Sequence, residues 1–229
     1  TIFPTASMVK IPILIGIMNK IEEGVLQDTM NLEYKDSLLY AGIDILGSFK
    51  EGEKITLSRV IMLMLTVSDN TASLWLQSLA GTGTTINALL ENMGFEHTRV
   101  NSRTPGRQAN QRTYGWGQTT PAEMGRLMEL IVNQQVISAD ASKTMLRRLG
   151  RNFFDHVAIS EIPPNVFVAS KNGAVNASRS EVLYVNCKGN PYLLVVCTKN
   201  NNDISWKNDN EAWVLTRKIS RLVWEHYSR

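Results

Sequence analysis

Segments with helical patterning fill the first two thirds of this 229-residue chain, and segments with strand patterning follow them. This separation constrains the fold more than any other feature of the sequence. Each helix is indicated by apolar periodicity between a capping residue and a glycine or polar stop. Helices are predicted over Ser7–Glu23 (ended by Gly24), Thr56–Leu65 (with Thr56 as N-cap), Asp69 or Asn70 to Leu79, Thr84 or Thr85 to Met93, Thr120 to about Asn133 (with Glu123 completing a capping box), and Ser138–Leu149.

Three strand-like runs and a final helix complete the chain. The runs are Asn165–Ser170, Ser180–Cys187 and Tyr192–Thr198, and the helix is predicted from about Asp209 to Tyr227 with Asn208 as its cap. Runs of helices followed by runs of strands are typical of α+β folds. We therefore expect an α+β domain in which a helical lobe lies beside an antiparallel sheet flanked by helices.

The chain is long enough to bury one sizeable core, arranged in two lobes. We expect a single domain over residues 1–229, with a helical lobe at about 20–150 and a sheet lobe formed by 1–19 and 151–229. Three strands make a thin sheet for this length. We therefore expect the N-terminal strands of the sheet to be absent from this chain, either missing or supplied separately.

The composition argues against several broad classes of function. The chain is 43% hydrophobic and 20% charged, as in ordinary soluble globular proteins. Its net charge of +3 is too small to indicate nucleic-acid binding. The apolar run Val60–Val67 is far shorter than a membrane span and is interpreted as part of a buried helix.

The cysteines and histidines predict neither a disulfide nor a metal site. A hairpin centred on Gly189 and Asn190 would place Cys187 near Tyr192 and Cys197 near Val182, too far apart to pair. Both cysteines are therefore expected to be free, buried thiols. The three histidines lack neighbours at metal-ligand spacing, so no metal is predicted. They are His97, His156 and His226.

A serine and a lysine lie three residues apart at the start of the first predicted helix. On a helix this spacing puts Ser7 and Lys10 on one face. Serine is a poor nucleophile until a base takes its proton, and a neutral lysine can do so. One such pair is expected by chance in a chain of this size, so the pair alone is better interpreted as an ordinary helix start.

Two further motifs change this interpretation. The Ser-Asp-Asn sequence Ser68–Asn70 follows one apolar helix and opens another, and the Lys-Asn-Gly sequence Lys171–Gly173 ends a predicted strand. Alone, the first is more often a helix cap and the second a hairpin turn. All three motifs together, in this order and in these settings, favour an active site.

With these motifs the chain resembles the serine β-lactamase and penicillin-binding protein superfamily, and it is most similar to class A β-lactamases. That superfamily carries Ser-x-x-Lys, Ser-Asp-Asn and Lys-Thr-Gly motifs. The resemblance extends from Phe3 to the C-terminus, and MVKIP, LMLTVSDNTAS, ENMGF and TTPAEM fall where the family has similar strings. It implies a β-lactamase/transpeptidase-like fold, a small-molecule β-lactam or peptidoglycan peptide as substrate, and no cofactor.

The resemblance implies catalytic roles for Ser7, Lys10 and Ser68. Ser7 would attack the lactam or peptide carbonyl and become acylated. Lys10 would be the base or would position one, which requires its pKa to be lowered by burial and by the Lys171 cation. Ser68 would pass a proton to the leaving nitrogen.

Asn70 and Lys171 are implied to bind substrate. Asn70 would hold Lys10 and the side-chain amide of the substrate. Lys171 would lower the cost of ionising Ser68 and attract the substrate carboxylate. Asp69, in contrast, is expected to be structural, as a helix cap or a buried hydrogen-bond acceptor.

The residues that follow Lys171 are implied to form the wall on which the substrate lies. Gly173 would allow the close approach, and the backbone N–H groups of Ser7 and Ala174 would form the oxyanion hole. Asn172 replaces the threonine or serine of the family. Its amide is larger, so altered affinity for the substrate carboxylate is expected.

Arg179 is a further candidate for substrate binding. It lies at the start of the next predicted strand, across the hairpin from Lys171, and a guanidinium there could bind a carboxylate through two parallel hydrogen bonds. The alternative is a surface ion pair with Glu181 or another acid. The sequence does not favour either interpretation.

The chain departs from the class A pattern in the loop before TTPAEM. Thr104 stands where the family has the glutamate that activates the deacylating water. Ser102 and Gly117 replace the arginine and aspartate that pin the loop, and Glu96 is the only acid in Phe95–Thr120. General-base activation contributes about a hundredfold to ten-thousandfold to a reaction rate. Its loss should raise the activation barrier for deacylation by roughly 3 to 5 kcal/mol.

Polar side chains in the same loop offer an alternative. Gln108, Asn110 or Gln111 could position a water, although none of them is a base. Apart from these positions, the segment Phe95–Thr120 is expected to be polar and irregular.

Three functions therefore remain open. The first is a serine hydrolase of the class A β-lactamase type with slow or altered deacylation. The second is a penicillin-binding or D,D-peptidase-like enzyme that acts on peptidoglycan peptides, and the third is a non-catalytic relative that binds a ligand in the same groove. The resemblance implies a periplasmic or secreted protein, although the chain shows no signal peptide.

Overall fold

Helices account for most of the first 150 residues, and the longest strands follow them. The computed structural model describes residues 1–42 and 44–229. The α-helices of this part are α1 (Lys10–Glu22), α2 (Leu57–Thr66), α3 (Asn70–Leu79), α4 (Thr82–Asn92), α5 (Gln108–Tyr114), α6 (Pro121–Val132), α7 (Ala139–Leu149) and α8 (Glu211–Tyr227). The strands are β1 (Phe3–Pro4), β2 (Asn31–Glu33), β3 (Lys54–Thr56), β4 (Arg99–Val100), β5 (Gly117–Thr119), β6 (Val168–Val175), β7 (Ser178–Val185) and β8 (Tyr192–Thr198).

The strands form one larger and two smaller antiparallel sheets. The larger sheet has the order β6-β7-β8, and the smaller ones are β1-β5-β4 and β2-β3. One face of the larger sheet packs on α6 and α7, and α8 contacts the opposite side through β8 and the 3-10 turn Ile159–Glu161. The predicted α+β architecture is confirmed, and the division into two lobes stays a prediction.

Helix α1 lies at the centre of the core. Nine consecutive residues of α1, from Lys10 to Met18, are buried, and the helix packs on α3, α4 and α7. Gly16 allows α4 to approach, because a Cβ there would lie 2.8 Å from Cγ1 of Ile86. Pro12 is accommodated because the N–H groups of a first helical turn have no partner within the helix.

Three helix starts differ from the predictions. Helix α1 begins at Lys10, after the 3-10 turn Ala6–Val9, and not at Ser7. Helix α4 begins at Thr82 after Gly81, whose φ of +91° favours glycine, and not after Thr84 or Thr85. Thr85 instead donates its hydroxyl to the Gly81 carbonyl, 2.6 Å away. Helix α8 is capped by Asn210, whose side chain accepts from the Ala212 N–H group, and not by Asn208. Several polar residues before α8 are plausible caps, and packing selects one of them.

In the larger sheet, β6 extends further than predicted, and β7 and β8 pair in a different register. Strand β6 continues through Lys171–Gly173 to Val175, because these polar residues pair with β7. The β7–β8 register is shifted by two residues, so Cys197 lies opposite Ser180 rather than Val182. Both cysteines are free; Cys187 is buried and Cys197 is half-buried.

The segment predicted to be irregular contains regular structure. Residues 95–120 include β4, α5 and β5, and β5 pairs with both β4 and β1. These elements are very short, and a two- or three-residue strand carries too little periodicity to be detected from sequence. In the part of the chain that the structure describes, no helix is long and apolar enough to cross a membrane.

The carboxylate of Glu123 anchors the start of α6 to the turn before β4. Thr120 caps the helix, as predicted, by accepting from the Glu123 N–H group. The carboxylate accepts from the N–H groups of Glu96, His97 and Thr98 and from the Thr98 hydroxyl, rather than closing the predicted capping box. Partial burial opposes ionisation, but these donors hold the pKa of Glu123 below its ordinary value.

Replacing Glu123 by alanine is expected to lower the free energy of unfolding by about 2 kcal/mol, the range of hydrogen bonds to a charged group. The loss should be complete above about pH 4.5 and should disappear as the pH falls through the lowered pKa. Urea unfolding at pH 7 and at acid pH measures both effects. Glu129→Ala, at an exposed position of the same helix, is the control; equal losses for the two variants would contradict the prediction.

Candidate active site

The side-chain amine of Lys10 is surrounded by four oxygen atoms. Its Nζ lies 3.1 Å from Oγ of Ser7, 2.9 Å from Oγ of Ser68, 2.6 Å from the Ser68 carbonyl and 2.9 Å from Oδ1 of Asn70. Lys10 itself is fully buried. An amine has at most three protons, so four oxygens cannot each accept their own hydrogen bond from it. A neutral amine likewise engages three, donating two hydrogen bonds and accepting one, and its lone pair can accept that bond from the hydroxyl of Ser7 or of Ser68.

Two strained turns bring the hydroxyls to this amine. Ser7 lies in the 3-10 turn Ala6–Val9 that leads into α1, and Ser68 lies in the junction between α2 and α3. Ala6 and Ser68 have φ angles of +43° and +59°, in the left-handed region that residues other than glycine rarely occupy. Such strain persists only where the surrounding structure imposes it.

Burial and a neighbouring cation lower the pKa of Lys10 well below its ordinary value. Desolvation is the larger cause, and the positive charge of Lys171 adds to it. The carboxylates of Asp44 and Asp69 act in the opposite direction. Because burial dominates, the free base forms at Lys10 at a lower pH than it would at an exposed lysine.

The two aspartates near the site hold the backbone. Oδ1 of Asp69 accepts from the Ala72 N–H group, and Oδ2 accepts from the Leu46 N–H group. Asp44 accepts from both the N–H group and the hydroxyl of Thr71. Asp69 therefore caps α3 and links it to the neighbouring turn, in agreement with the structural role expected from the sequence.

Lys171 is fully buried on β6 and lies close to an acid. Its Nζ lies 3.2 Å from both the carbonyl oxygen and Oδ1 of Asn172. Burial lowers the pKa of Lys171 to about 7, and the Glu181 carboxylate partly opposes this shift. Burial likewise raises the pKa of Glu181 to about 7. Desolvation disfavours the charged form of each group, so it lowers the pKa of the lysine and raises that of the glutamate.

Strand β6 contacts the turn that carries Ser7. A Cβ added to Gly173 would lie 2.4 Å from the Thr5 carbonyl and 2.9 Å from the Ser7 nitrogen. No side chain fits at that position, so only glycine permits this approach. Strand β6 and the nucleophile turn thereby form adjacent walls of one groove.

The groove has a volume of about 440 Å³. It is lined by the predicted site residues Ser7, Ser68, Asn70, Asn172, Gly173 and Ala174. Lys10 and Lys171 lie beneath its floor. A second cavity of about 540 Å³ lies between Gly150 and Val168, and the residues that line it include none of the predicted site residues.

Arg179 is not brought into the groove. Its guanidinium is buried and donates to the carbonyls of Asn176, Ser178 and Ser205. It also lies against the rings of both Trp206 and Trp213, 4.8 Å and 5.0 Å from their centroids. Among the described residues its guanidinium forms no ion pair with Glu181 or another acid, and a role of Arg179 in binding a substrate carboxylate stays a prediction.

Thr104 faces away from the groove. Its hydroxyl donates to the Ser102 carbonyl at 2.9 Å, and its side chain packs against Gly83 at the start of α4. The three polar residues considered as water ligands are also occupied or remote. Asn110 donates to Gln118, while Gln108 and Gln111 are exposed on α5, outside the groove lining.

One pair of uncharged side chains links the base of this loop to α3. The Gln77 side chain donates to the Ser102 carbonyl at 2.5 Å and accepts from the Ser102 hydroxyl at 2.8 Å. Gly117 packs directly against the nucleophile turn, since a Cβ there would lie 2.6 Å from Oγ1 of Thr5. Gln77 was not identified from the sequence, because a glutamine within a helix gives no signal of a distant partner.

Four aromatic side chains of the groove were also missed. They are Phe154, His156, Trp206 and Trp213. Their only sequence signal is the local density of aromatic residues in NFFDH and SWKNDNEAW. Among the residues that the structure describes, no group of three histidine, cysteine, aspartate or glutamate side chains is arranged to hold a metal ion.

The model of the Beta-lactamase enzyme family matches residues 1–227. The chain belongs to this family. Family membership supports a hydrolase of the serine β-lactamase type, and a β-lactam substrate fits the family.

Solved structures show the same fold at low sequence identity. PBP-A superposes with a TM-score of 0.85 at 23% identity, covering 99% of this chain and 82% of that chain. A class A beta-lactamase from Bacteroides cellulosilyticus superposes with a TM-score of 0.85 at 17% identity, covering 100% of this chain and 85% of that chain. A beta-lactamase from Sphaerobacter thermophilus superposes with a TM-score of 0.85 at 19% identity, covering 99% of this chain and 84% of that chain. These similarities confirm the β-lactamase-like fold.

Replacing Lys171 by methionine is expected to raise the pKa of Lys10, because the replacement removes the repulsion between two buried cations. Methionine preserves the length and apolar stem of the side chain. The ¹³Cε chemical shift of Lys10, followed by NMR against pH, measures the effect. Lys188→Met is the control, since Lys188 is exposed on the β7–β8 loop. An unchanged Lys10 midpoint would mean that burial alone lowers its pKa.

Proposed function

We propose that the protein is a serine hydrolase of the class A β-lactamase type, acylated on Ser7 by β-lactams or related amides. The observation that carries this proposal is the contact between Nζ of Lys10 and Oγ of Ser7, with the amine buried among hydroxyl and amide oxygens. A buried lysine with a lowered pKa is a suitable base for a serine nucleophile. Ser7 loses its proton to Lys10 as its oxygen forms the acyl bond.

Ser68 and Asn70 support the return of that proton. Ser68 contacts the same amine at 2.9 Å, so it can carry a proton from Lys10 to the leaving nitrogen. Asn70 accepts from Lys10 and fixes its direction while its own amide lines the groove. Lys171 stabilises the ionised form of Ser68 and attracts an anionic substrate group at the floor of the groove.

The β6 wall supports charge stabilisation and substrate binding. Gly173 brings the strand against Ser7, so the N–H groups of Ser7 and Ala174 serve as the donors for the developing oxyanion. Asn172 presents an amide that donates to the substrate. Arg179 is given no direct role in substrate binding in this proposal, because its donors are directed to backbone carbonyls.

Deacylation is proposed to be slow. Thr104 is not a base, and its side chain points to α4 rather than into the groove. The two carboxylates that line the groove, Asp44 and Asp69, accept hydrogen bonds from the backbone. Without a base for the attacking water, hydrolysis of the acyl-enzyme should be slowed about a hundredfold to ten-thousandfold.

The same feature favours a second candidate, a penicillin-binding or D,D-peptidase-like enzyme on peptidoglycan peptides. Such an enzyme transfers its acyl group to an acceptor without a loop carboxylate, and this loop presents none to the groove. A mutant of PBP-A, which shares the fold, is described as an acyl-enzyme complex with penicillin G. Either activity places the protein in the periplasm or at the cell surface, where these substrates occur.

Intact mass spectrometry after mixing with benzylpenicillin tests the proposal. We expect a persistent adduct equal to the mass of the intact drug, because acylation proceeds and deacylation lacks its base. Ser7→Ala should abolish the adduct, whereas Ser160→Ala, at an exposed serine, should not. Fast turnover without an adduct would contradict slow deacylation. Binding without any adduct would favour the non-catalytic alternative.

Replacing Gly173 by alanine should lower the second-order rate of acylation by at least about a hundredfold, the scale for loss of an oxyanion donor. The added Cβ forces β6 away from Thr5 and Ser7. Gly125→Ala is the control, because a Cβ there makes only an ordinary contact with Val195. A Gly173→Ala enzyme that is acylated at the normal rate would exclude the proposed oxyanion geometry.

A further inference from the structure

Four aromatic rings form a continuous rim along the β6 side of the groove. We call Phe154, His156, Trp206 and Trp213 the aromatic rim. The ring centroids are 6.5 Å apart between Phe154 and His156, 5.8 Å between His156 and Trp213, and 6.0 Å between Trp213 and Trp206. All three contacts are edge-to-face, and all four rings line the same groove as Ser7 and Gly173.

Trp206 is exposed but held in place. Its side chain is 67% exposed, yet the Arg179 guanidinium lies 4.8 Å from its ring centroid. Arg179 is itself fixed by the Ser205 carbonyl, and Asn210 donates to the same carbonyl and to that of Asp203. An indole with one face on a buried cation leaves its other face free. Such a surface is pre-organised for a ligand, since little side-chain freedom is lost on binding.

The four rim side chains include no carboxylate. His156 is the one titratable side chain among them, and the Arg179 guanidinium lies against both indoles with its Nη1 and Nη2 groups donating to backbone carbonyls. The carboxylates of Asp44 and Asp69 belong to the helical wall on the other side of the groove. The chemistry of the rim therefore suits a flat, uncharged ring rather than a carboxylate.

The position of the rim indicates which part of the substrate reaches it. Asn152 donates to Ser170 at 2.8 Å and lies 3.5 Å from Oδ1 of Asn172, so the segment that carries Phe154 runs beside the Lys171 end of β6. In the proposed function, Lys171 assists the departure of the leaving nitrogen. The rim thus flanks the leaving-group side of the scissile bond.

We propose that the aromatic rim binds an uncharged aromatic ring on the leaving-group side of the substrate, stacked on Trp206. The inference rests on the proposed function and adds a substrate class to it. Substrates with such a ring should be acylated faster than the same substrates without it. Stacked or edge-to-face aromatic pairs contribute enough to change a rate on the order of tenfold.

Two cephalosporins with the same acyl side chain test the proposal, one with an aryl-vinyl group and one with a methyl group at the 3-position. The second-order acylation rate is measured by intact mass for each. We expect the unmodified protein to prefer the aryl compound on the order of tenfold. Trp206→Ala should remove this preference by slowing the aryl compound about tenfold more than the methyl compound, and Trp206→Phe should retain most of it. Leu222→Ala, at a 66% exposed apolar residue of α8, should change neither rate.

If Trp206→Ala lowers the acylation rate equally for both compounds, or for neither, the proposal is overturned. A preference that instead depends on an aromatic acyl side chain would overturn the assignment to the leaving-group side. The affinities of the same two compounds for the Ser7→Ala variant, measured by calorimetry, separate the proposed function from the proposed role of the aromatic rim. If no compound acylates Ser7 but the aryl compound still binds more tightly, the proposed function fails and the rim stands. If both bind equally, the rim fails.

Discussion

The buried amine of Lys10 is the constraint on which the rest of this structure depends. Its oxygen partners come from two places far apart in sequence, the turn before α1 and the junction between α2 and α3. A charged amine at this depth would cost several kcal/mol without a paired anion, whereas a neutral one is tolerated when hydrogen-bonded. The burial that organises the helices therefore also lowers the pKa of the amine and favours its unprotonated form, the form that accepts a proton in the proposed function.

The second buried lysine has a different environment. Lys171 has an acid nearby, Glu181, and the Asn172 amide oxygen in contact, whereas Lys10 is contacted by neutral oxygens alone. Two amines near one another cannot both carry a full charge cheaply in a low-dielectric interior. Asp44 and Asp69 raise the pKa of Lys10 as Glu181 raises that of Lys171, but burial and the Lys171 charge hold the pKa of Lys10 well below its ordinary value, whereas burial alone lowers that of Lys171, to about 7. The division of labour between the two lysines thus follows from the partners that each one has.

The motif residues were predictable from sequence because each motif is a short local string, even though Lys171–Gly173 proved to lie within β6 rather than at its end. Ser7, Lys10, Ser68 and Asn70 do converge, and the α+β order is observed. The partners of the Arg179 guanidinium were not predictable, because they include two tryptophans and a loop that are distant along the chain. The direction of the Thr104 side chain likewise depends on Gly83, which belongs to a helix some twenty residues earlier. Local patterns identify residues, but tertiary contacts decide where their side chains point.

The pairing of Gln77 with Ser102 has a consequence for the conditions in which the loop keeps its shape. Two neutral groups joined by reciprocal hydrogen bonds carry no net charge for ions to screen and no proton to gain or lose. An ion pair in the same place would weaken as ionic strength rises and would break on acidification. This one contact is thereby insensitive to salt and to acid, in contrast to the Glu123 carboxylate, which holds the N–H groups of Glu96, His97 and Thr98 in the same segment and loses its charge on acidification.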